Sequence, residues 1–212
     1  MAPTHRRWLD RWLFRWVFTG ASARRYRRHA RPAFGALDQR LAARWAPDLA
    51  TAAVIIDVGA GPGTVGITLR QIVPAALVID VEPSPDYPAV GPRLRARAEA
   101  LPLADATVDA AVSVSAIRHV GDRRAALAEL RRVVRPGRPA WIVELDPEAP
   151  AAKIRAHADR LGTRWLRASF GPLVVRTAPP AATIAADARA AGWAQLDHAV
   201  DAEQPVYLLR LA

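Results

Sequence analysis

The run AAVIIDVGAGPGTVGITLRQIVPAALVIDVEPSP, residues 52–85, constrains this chain more than any other stretch. It opens with a β-branched run, AAVIID (52–57), that stops at Gly59, Gly61 and Gly63. A helix-like segment, TVGITLRQIV, follows, and a second β-branched run, ALVIDV (76–81), closes it. Strand, glycine turn, helix and strand in so short a span is a βαβ crossover, which requires two parallel strands and a helix packed on one face.

The alternation continues. VDAAVSVS (108–115) reads as a strand, DRRAALAELRRVV (122–134) as a helix closed by Pro136 and Gly137, and AWIVELD (140–146) as a strand. Residues 151 to about 166 read as a helix, FGPLVVRTAPP as irregular, and AATIAADARAAG as a helix. AQLDHAV and PVYLLRL, joined by DAEQ, read as a closing antiparallel pair. The pattern predicts a doubly wound α/β fold with a Rossmann-like sheet, parallel except at the C-terminus. At 212 residues, 51% of them apolar, the chain suits one well-buried domain.

Charge is unevenly placed. Of a net +10, the first 31 residues carry +8, from nine arginines against Asp10. Within them Trp8, Trp12 and Trp16 share one helical face and Arg7, Arg11 and Arg15 another. Residues 1–45 therefore read as a basic, tryptophan-rich helical cap, with Pro32 breaking the second helical pattern of about 24–45. Three uses of residues 6–31 stay open: packing over the ligand crevice, peripheral contact with an anionic membrane, or phosphate binding, for which no nucleic-acid module accompanies the charge. No run reaches the ~20 apolar residues of a membrane span, and a cytoplasmic protein is expected. With no cysteine and five scattered histidines, no metal site is expected.

In such a sheet the crevice beyond the strand ends is the ligand site, and the loop after the first strand is its floor. Glu82, nineteen residues beyond Gly63, ends the second strand, where a carboxylate can accept hydrogen bonds from both hydroxyls of a ribose. GPGTVG (61–66) satisfies a dinucleotide fingerprint, but framed from Gly59 its third glycine position holds Thr64. Asp57, just ahead of the glycines, would repel a pyrophosphate and suits a cofactor carrying an ammonium and a sulfonium.

These residues resemble the class I S-adenosylmethionine-dependent methyltransferases, and within them the branch acting on small molecules such as quinones, sterols and natural products. The resemblance spans about residues 26–212. It rests on IIDVGAGPGTVG, VIDVEPSP and the collinear AEALPLADATVDAAVSVSAIRHVGDRRAALAELRRVVRPGRPAWIVELD. It implies a seven-stranded sheet and S-adenosyl-L-methionine as cofactor, with Asp57, Gly59, Gly61 and Gly63 along its methionine part and Glu82 at the ribose. Pro83 and Ala98 would lie at the adenine and Ser115 near the sulfonium. His119, just past the fourth strand, is the candidate general base for an O or N acceptor, or else a histidine that only shapes the pocket. Residues 147–180 are expected to complete the substrate pocket. Three positions depart from the family pattern: Asp80 and Arg138 replace customary glycines, and Arg97 stands where an aspartate usually accepts from the adenine amino group. Arginine has no acceptor, so either Glu99 takes that contact or it is missing.

The expected activity is methyl transfer to a small, lipophilic acceptor. A non-catalytic interaction protein on a membrane surface and a nucleic-acid methyltransferase are the alternatives.

Overall fold

A computed structural model describes residues 19–212. Its centre is a seven-stranded sheet in the order β3-β2-β1-β4-β5-β7-β6. The strands are β1 (Val54–Val58), β2 (Leu77–Val81), β3 (Arg93–Leu94), β4 (Ala110–Val114), β5 (Ala140–Leu145), β6 (Leu196–Val200) and β7 (Val206–Leu211). The first five run parallel, and only β7 is antiparallel to its neighbours, β5 and β6. Strand order reverses between β1 and β4, which opens a crevice beyond their carboxyl ends.

Alternate residues of each strand feed two cores. One face carries Ile55, Val78, Val112 and Val143 against helix α2 (Leu37–Leu49), whose Leu37, Leu41 and Trp45 are buried there. The other carries Ile56, Val81, Ala111 and Ile142 against α4 (Arg123–Val133) and α7 (Ala181–Ala190). Helix α4 shows why these segments fold locally. Asp122 caps it by accepting from the Ala125 N–H at 3.1 Å, and Ala126, Leu127, Leu130 and Val133 form its buried stripe. The crossover helix α3 (Thr64–Ile72) starts from Gly63, held in the left-handed conformation at φ +78°.

Elsewhere the elements divide more finely than the pattern predicts. The 24–45 helix is two: α1 (Gly20–His29) stops before a 3₁₀ turn (Arg31–Phe34) containing Pro32, and α2 then runs to Leu49. The 151–166 helix also breaks, into α5 (Ala151–Asp159) and α6 (Arg164–Ser169). The break falls where the Gly162 N–H donates to the His29 carbonyl and Thr163 caps α6. The segment read as irregular is a π-helix over Phe170–Val175. The tryptophan stripe of residues 8–16 lies outside the described residues, and so does much of the proposed 1–45 cap.

Candidate active site

A cavity of about 490 Å³ lies at the crevice. It gathers Asp57, Gly59, Gly61, Glu82, Pro83, Ala98, Glu99, Ser115 and His119, nine of the ten positions singled out in the sequence. Gly63 stands apart. A side chain there would meet Val90 and Asp80, beneath the loop.

The glycine loop is shaped by its neighbours. Gly59 and Gly61 both take positive φ, +76° and +52°. The N–H groups of Gly59 and Ala60 both donate to the Val81 carbonyl, at 2.8 and 3.1 Å, which folds the loop over the end of β2. A Cβ on Gly59 would stand 2.4 Å from that of Ala116, so backbone and β4 exit meet closely here. At Gly61 the nearest atom, on Tyr87, is 4.0 Å away, and this glycine presents bare backbone to the cavity.

Glu82 is oriented from both sides: its carboxylate accepts from the Gly61 N–H and the Ser84 N–H, each at 2.8 Å. Each oxygen keeps a second lone pair for a ligand hydroxyl. Burial raises its pKa, and the two backbone donors oppose that rise.

Asp57 and Asp80 are register partners on β1 and β2 and share a sheet face, yet they are treated differently. Asp80 is fully buried and paired with Arg70 at 2.8 Å and Arg93 at 3.4 Å. Arg93 also donates to the Gly61 carbonyl at 3.1 Å, tying this pair to the loop. Asp57 is equally buried, but its Oδ2 has no hydrogen-bond partner. Burial first, and then the nearby charges of Asp80 and Asp38, push its pKa well above the carboxylate range, with Arg31 opposing them. An acid in that state lacks a cation. An incoming cationic group would favour its ionised form, and an incoming anion would oppose it.

Arg97 also lines the cavity, but not as a bare cation. Its guanidinium, largely exposed, donates to Glu99 Oε1 at 2.9 Å. The Gly121 N–H donates to the same oxygen at 3.0 Å. Burial would raise the Glu99 pKa, but the Arg97 bond and the backbone donors overcome it and lower it, keeping an acceptor at the rim. Ser115 closes β4 with φ +55°, a conformation that only one other described non-glycine residue adopts, and its N–H donates to the Val143 carbonyl at 2.7 Å.

His119 sits in a 3₁₀ turn (Ile117–His119) and lines the cavity. Burial, with the neighbouring Arg118 charge, pushes its pKa down to about 3. The imidazole is therefore neutral at physiological pH and does not titrate in the range expected of a free histidine. It can accept a hydrogen bond, and its weak basicity limits what it can contribute as a proton acceptor.

Residues 147–180 do not line the cavity. Their apolar side chains Ile154, Phe170 and Val175 are used in the core around α2, and the segment reaches the site only indirectly, where Arg118 donates to the Val174 carbonyl at 2.9 Å. The wall is supplied from the amino-terminal side, by Thr19, Tyr26 and Arg31, with Tyr87 from the loop after β2. No spacing or periodicity in the sequence flags these four, because they reach the site through tertiary packing.

The sequence profile described as a methyltransferase domain matches residues 56–141, which contain the end of β1, the glycine loop, Glu82, Glu99, β4 and His119. Among curated relatives, the chain is 34% identical over 146 residues to a ubiquinone/menaquinone biosynthesis C-methyltransferase of Syntrophotalea carbinolica. That match covers 64% of this chain and 61% of the relative. A demethylmenaquinone methyltransferase of Thermus thermophilus is 32% identical over 46% of this chain and 50% of its own. The chain thus spans about three fifths or less of the length of these relatives. Among solved structures, a putative S-adenosylmethionine-dependent methyltransferase of Methanococcus maripaludis superimposes with a TM-score of 0.65 at 14% identity, over 92% of this chain and 93% of that one. The [4+2]-cyclase SpnF has the same fold too, with a TM-score of 0.58 at 21% identity, over 76% and 58% of the two chains. Residues 56–141 thus carry a methyltransferase domain, set in a seven-stranded sheet whose fold is similar to that of S-adenosylmethionine-dependent methyltransferases. The fold alone does not fix the chemistry, as the cyclase illustrates.

Proposed function

We propose that the protein transfers a methyl group from S-adenosylmethionine to a small, lipophilic acceptor. The observation that carries this reading is the buried, unpartnered Asp57 carboxyl at the head of a glycine loop, with Glu82 oriented in the same cavity. Asp57 would hold the ammonium of the amino-acid end, and Glu82 the ribose hydroxyls. Gly59 and Gly61 would let the ligand lie on bare backbone, and Glu99, braced by Arg97, would accept from the adenine amino group.

The bound cofactor supplies a methyl group already activated on a sulfonium, so the protein's main tasks are alignment and exclusion of water. Ser115 ends β4 in a fixed, strained backbone that holds the turn carrying His119 against the cavity. His119, neutral, would orient an acceptor hydroxyl or amine by accepting its hydrogen bond. The quinone-pathway relatives named above support a lipophilic acceptor. Four exposed arginines of α1 (Arg24, Arg25, Arg27 and Arg28) support delivery from an anionic surface through residues 6–31. No described helix is long and apolar enough to cross a membrane.

The test is calorimetric titration with S-adenosylmethionine and S-adenosylhomocysteine, followed by transfer of labelled methyl to demethylated quinols. Binding near the micromolar range is expected, and its absence for both ligands overturns the reading.

A further inference from the structure

Arg31 lies outside the matched methyltransferase segment, at the first residue of the 3₁₀ turn that Pro32 imposes. Its side chain is 12% exposed and lines the cavity. Three contacts lock the guanidinium. Nη2 donates to both oxygens of Asp38 at 2.5 Å, and Nε donates to Oγ1 of Thr64 at 2.9 Å. Phe34 packs against its flat face, 5.1 Å from ring centre to guanidinium carbon. Thr64 is the residue that replaces the third glycine of a dinucleotide frame, and here its hydroxyl anchors the arginine.

Guanidinium carries five N–H donors. Nε and Nη2 account for three of them in these bonds, and Nη1 makes no bond among the described residues. Arg31 therefore keeps one pre-organised edge of two donors on the same cavity that holds Asp57. The two are near enough for the arginine charge to lower the Asp57 pKa.

A ligand that is only a cation would satisfy Asp57 and leave the arginine edge without an anion. One that is only an anion would be repelled by Asp57. An ammonium and a carboxylate on one carbon satisfy both. Resting on the cofactor reading above, we infer that Arg31 binds the carboxylate of the ligand's α-amino acid end, opposite Asp57, and so sets specificity for an intact amino acid over an amine.

The experiment compares S-adenosylmethionine with its decarboxylated form, which keeps the ammonium, sulfonium and nucleoside. Calorimetric Kd values are measured for the wild type, Arg31→Met and Arg31→Lys. The wild type is expected to prefer the carboxylated ligand by about tenfold or more. Arg31→Met is expected to bind the two within about twofold, and Arg31→Lys to keep part of the preference. A merely structural arginine would weaken both ligands together and leave their ratio unchanged. An unchanged ratio in Arg31→Met overturns the inference, as does a wild-type ratio near one, which needs no variant to fold. Failure of S-adenosylmethionine and S-adenosylhomocysteine alike to bind the wild type instead overturns the cofactor reading beneath it.

Discussion

Asp57 and Asp80 sit side by side on β1 and β2, on one face of the sheet and at equal depth, and only Asp80 is in direct ion pairs with arginine. Asp80 has two arginines and forms part of the scaffold beneath the loop. Asp57 has an oxygen with no partner, next to a cavity. An acid left in that condition weakens the empty fold, and the deficit is made good when a cation arrives. Burial alone marks neither residue as functional. What separates them is where the neutralising charge comes from.

Removing the scaffold acid should have the largest effect. Asp80→Ala leaves Arg70 and Arg93 facing each other in the interior, and a loss of about 3–5 kcal/mol is expected in denaturant unfolding. Unchanged stability would mean that this pair does not carry the loop.

Asp57→Asn should do the opposite to the empty protein. The folded carboxyl keeps its proton to a higher pH than the unfolded one, so the folded state binds more protons between the two pKa values. Stability contributed by Asp57 is then lost as pH rises through that window, and the amide removes the loss. The variant is expected to melt higher than wild type at neutral pH while binding S-adenosylmethionine about 100-fold more weakly, an order set by truncation of buried charge pairs. Wild-type affinity should rise with pH as Asp57 ionises, and the variant should lose that part of the rise, as calorimetry across the pH range would read. A lower melting temperature, or a variant profile as steep as the wild type's, would remove Asp57 from the ligand side of the comparison.

Gly59→Ala tests the loop between the two acids. It adds a Cβ 2.4 Å from that of Ala116 at a φ of +76°, so affinity should fall by about tenfold with a stability loss of about 1–2 kcal/mol. Gly61→Ala, facing the open cavity, should lose affinity with less stability.

Glu99→Gln should have the smallest effect, about a fewfold in Kd, because the amide oxygen still accepts a hydrogen bond. Arg97→Ala is expected to match it, since Arg97 acts here by holding Glu99.

Four parallel strands were legible because β1, β2, β4 and β5 are compact apolar runs, the signature of strands covered on both faces. The fifth parallel strand was not. β3 is two residues, Arg93 and Leu94, and is held by pairing to β2 rather than by any pattern of its own. That the glycine loop, Glu82 and His119 would come to one cavity followed from their places at the ends of β1, β2 and β4, but the low basicity of His119 was not legible, since it follows from burial. Packing of residues 6–31 over the crevice was one of three open uses, but nothing singled out Tyr26 and Arg31 within that span: they enter the site from α1 and the turn after it, and distance along the chain says nothing of that approach. For residues 147–180 the sequence is equally silent, because an apolar segment of that length can line a pocket or fill a core, and Ile154, Phe170 and Val175 fill a core.

One hydrogen bond shapes how the site opens. The Gly20 N–H, at the start of α1, donates to Asp86 in the loop after β2 at 2.7 Å, while Thr19 and Tyr26 line the cavity. The first described helix is thus strapped across the crevice from one lip to the other. Its backbone amides become reporters of occupancy: a ligand that binds only with α1 in place is expected to slow their exchange with solvent deuterium, because binding stabilises the closed form.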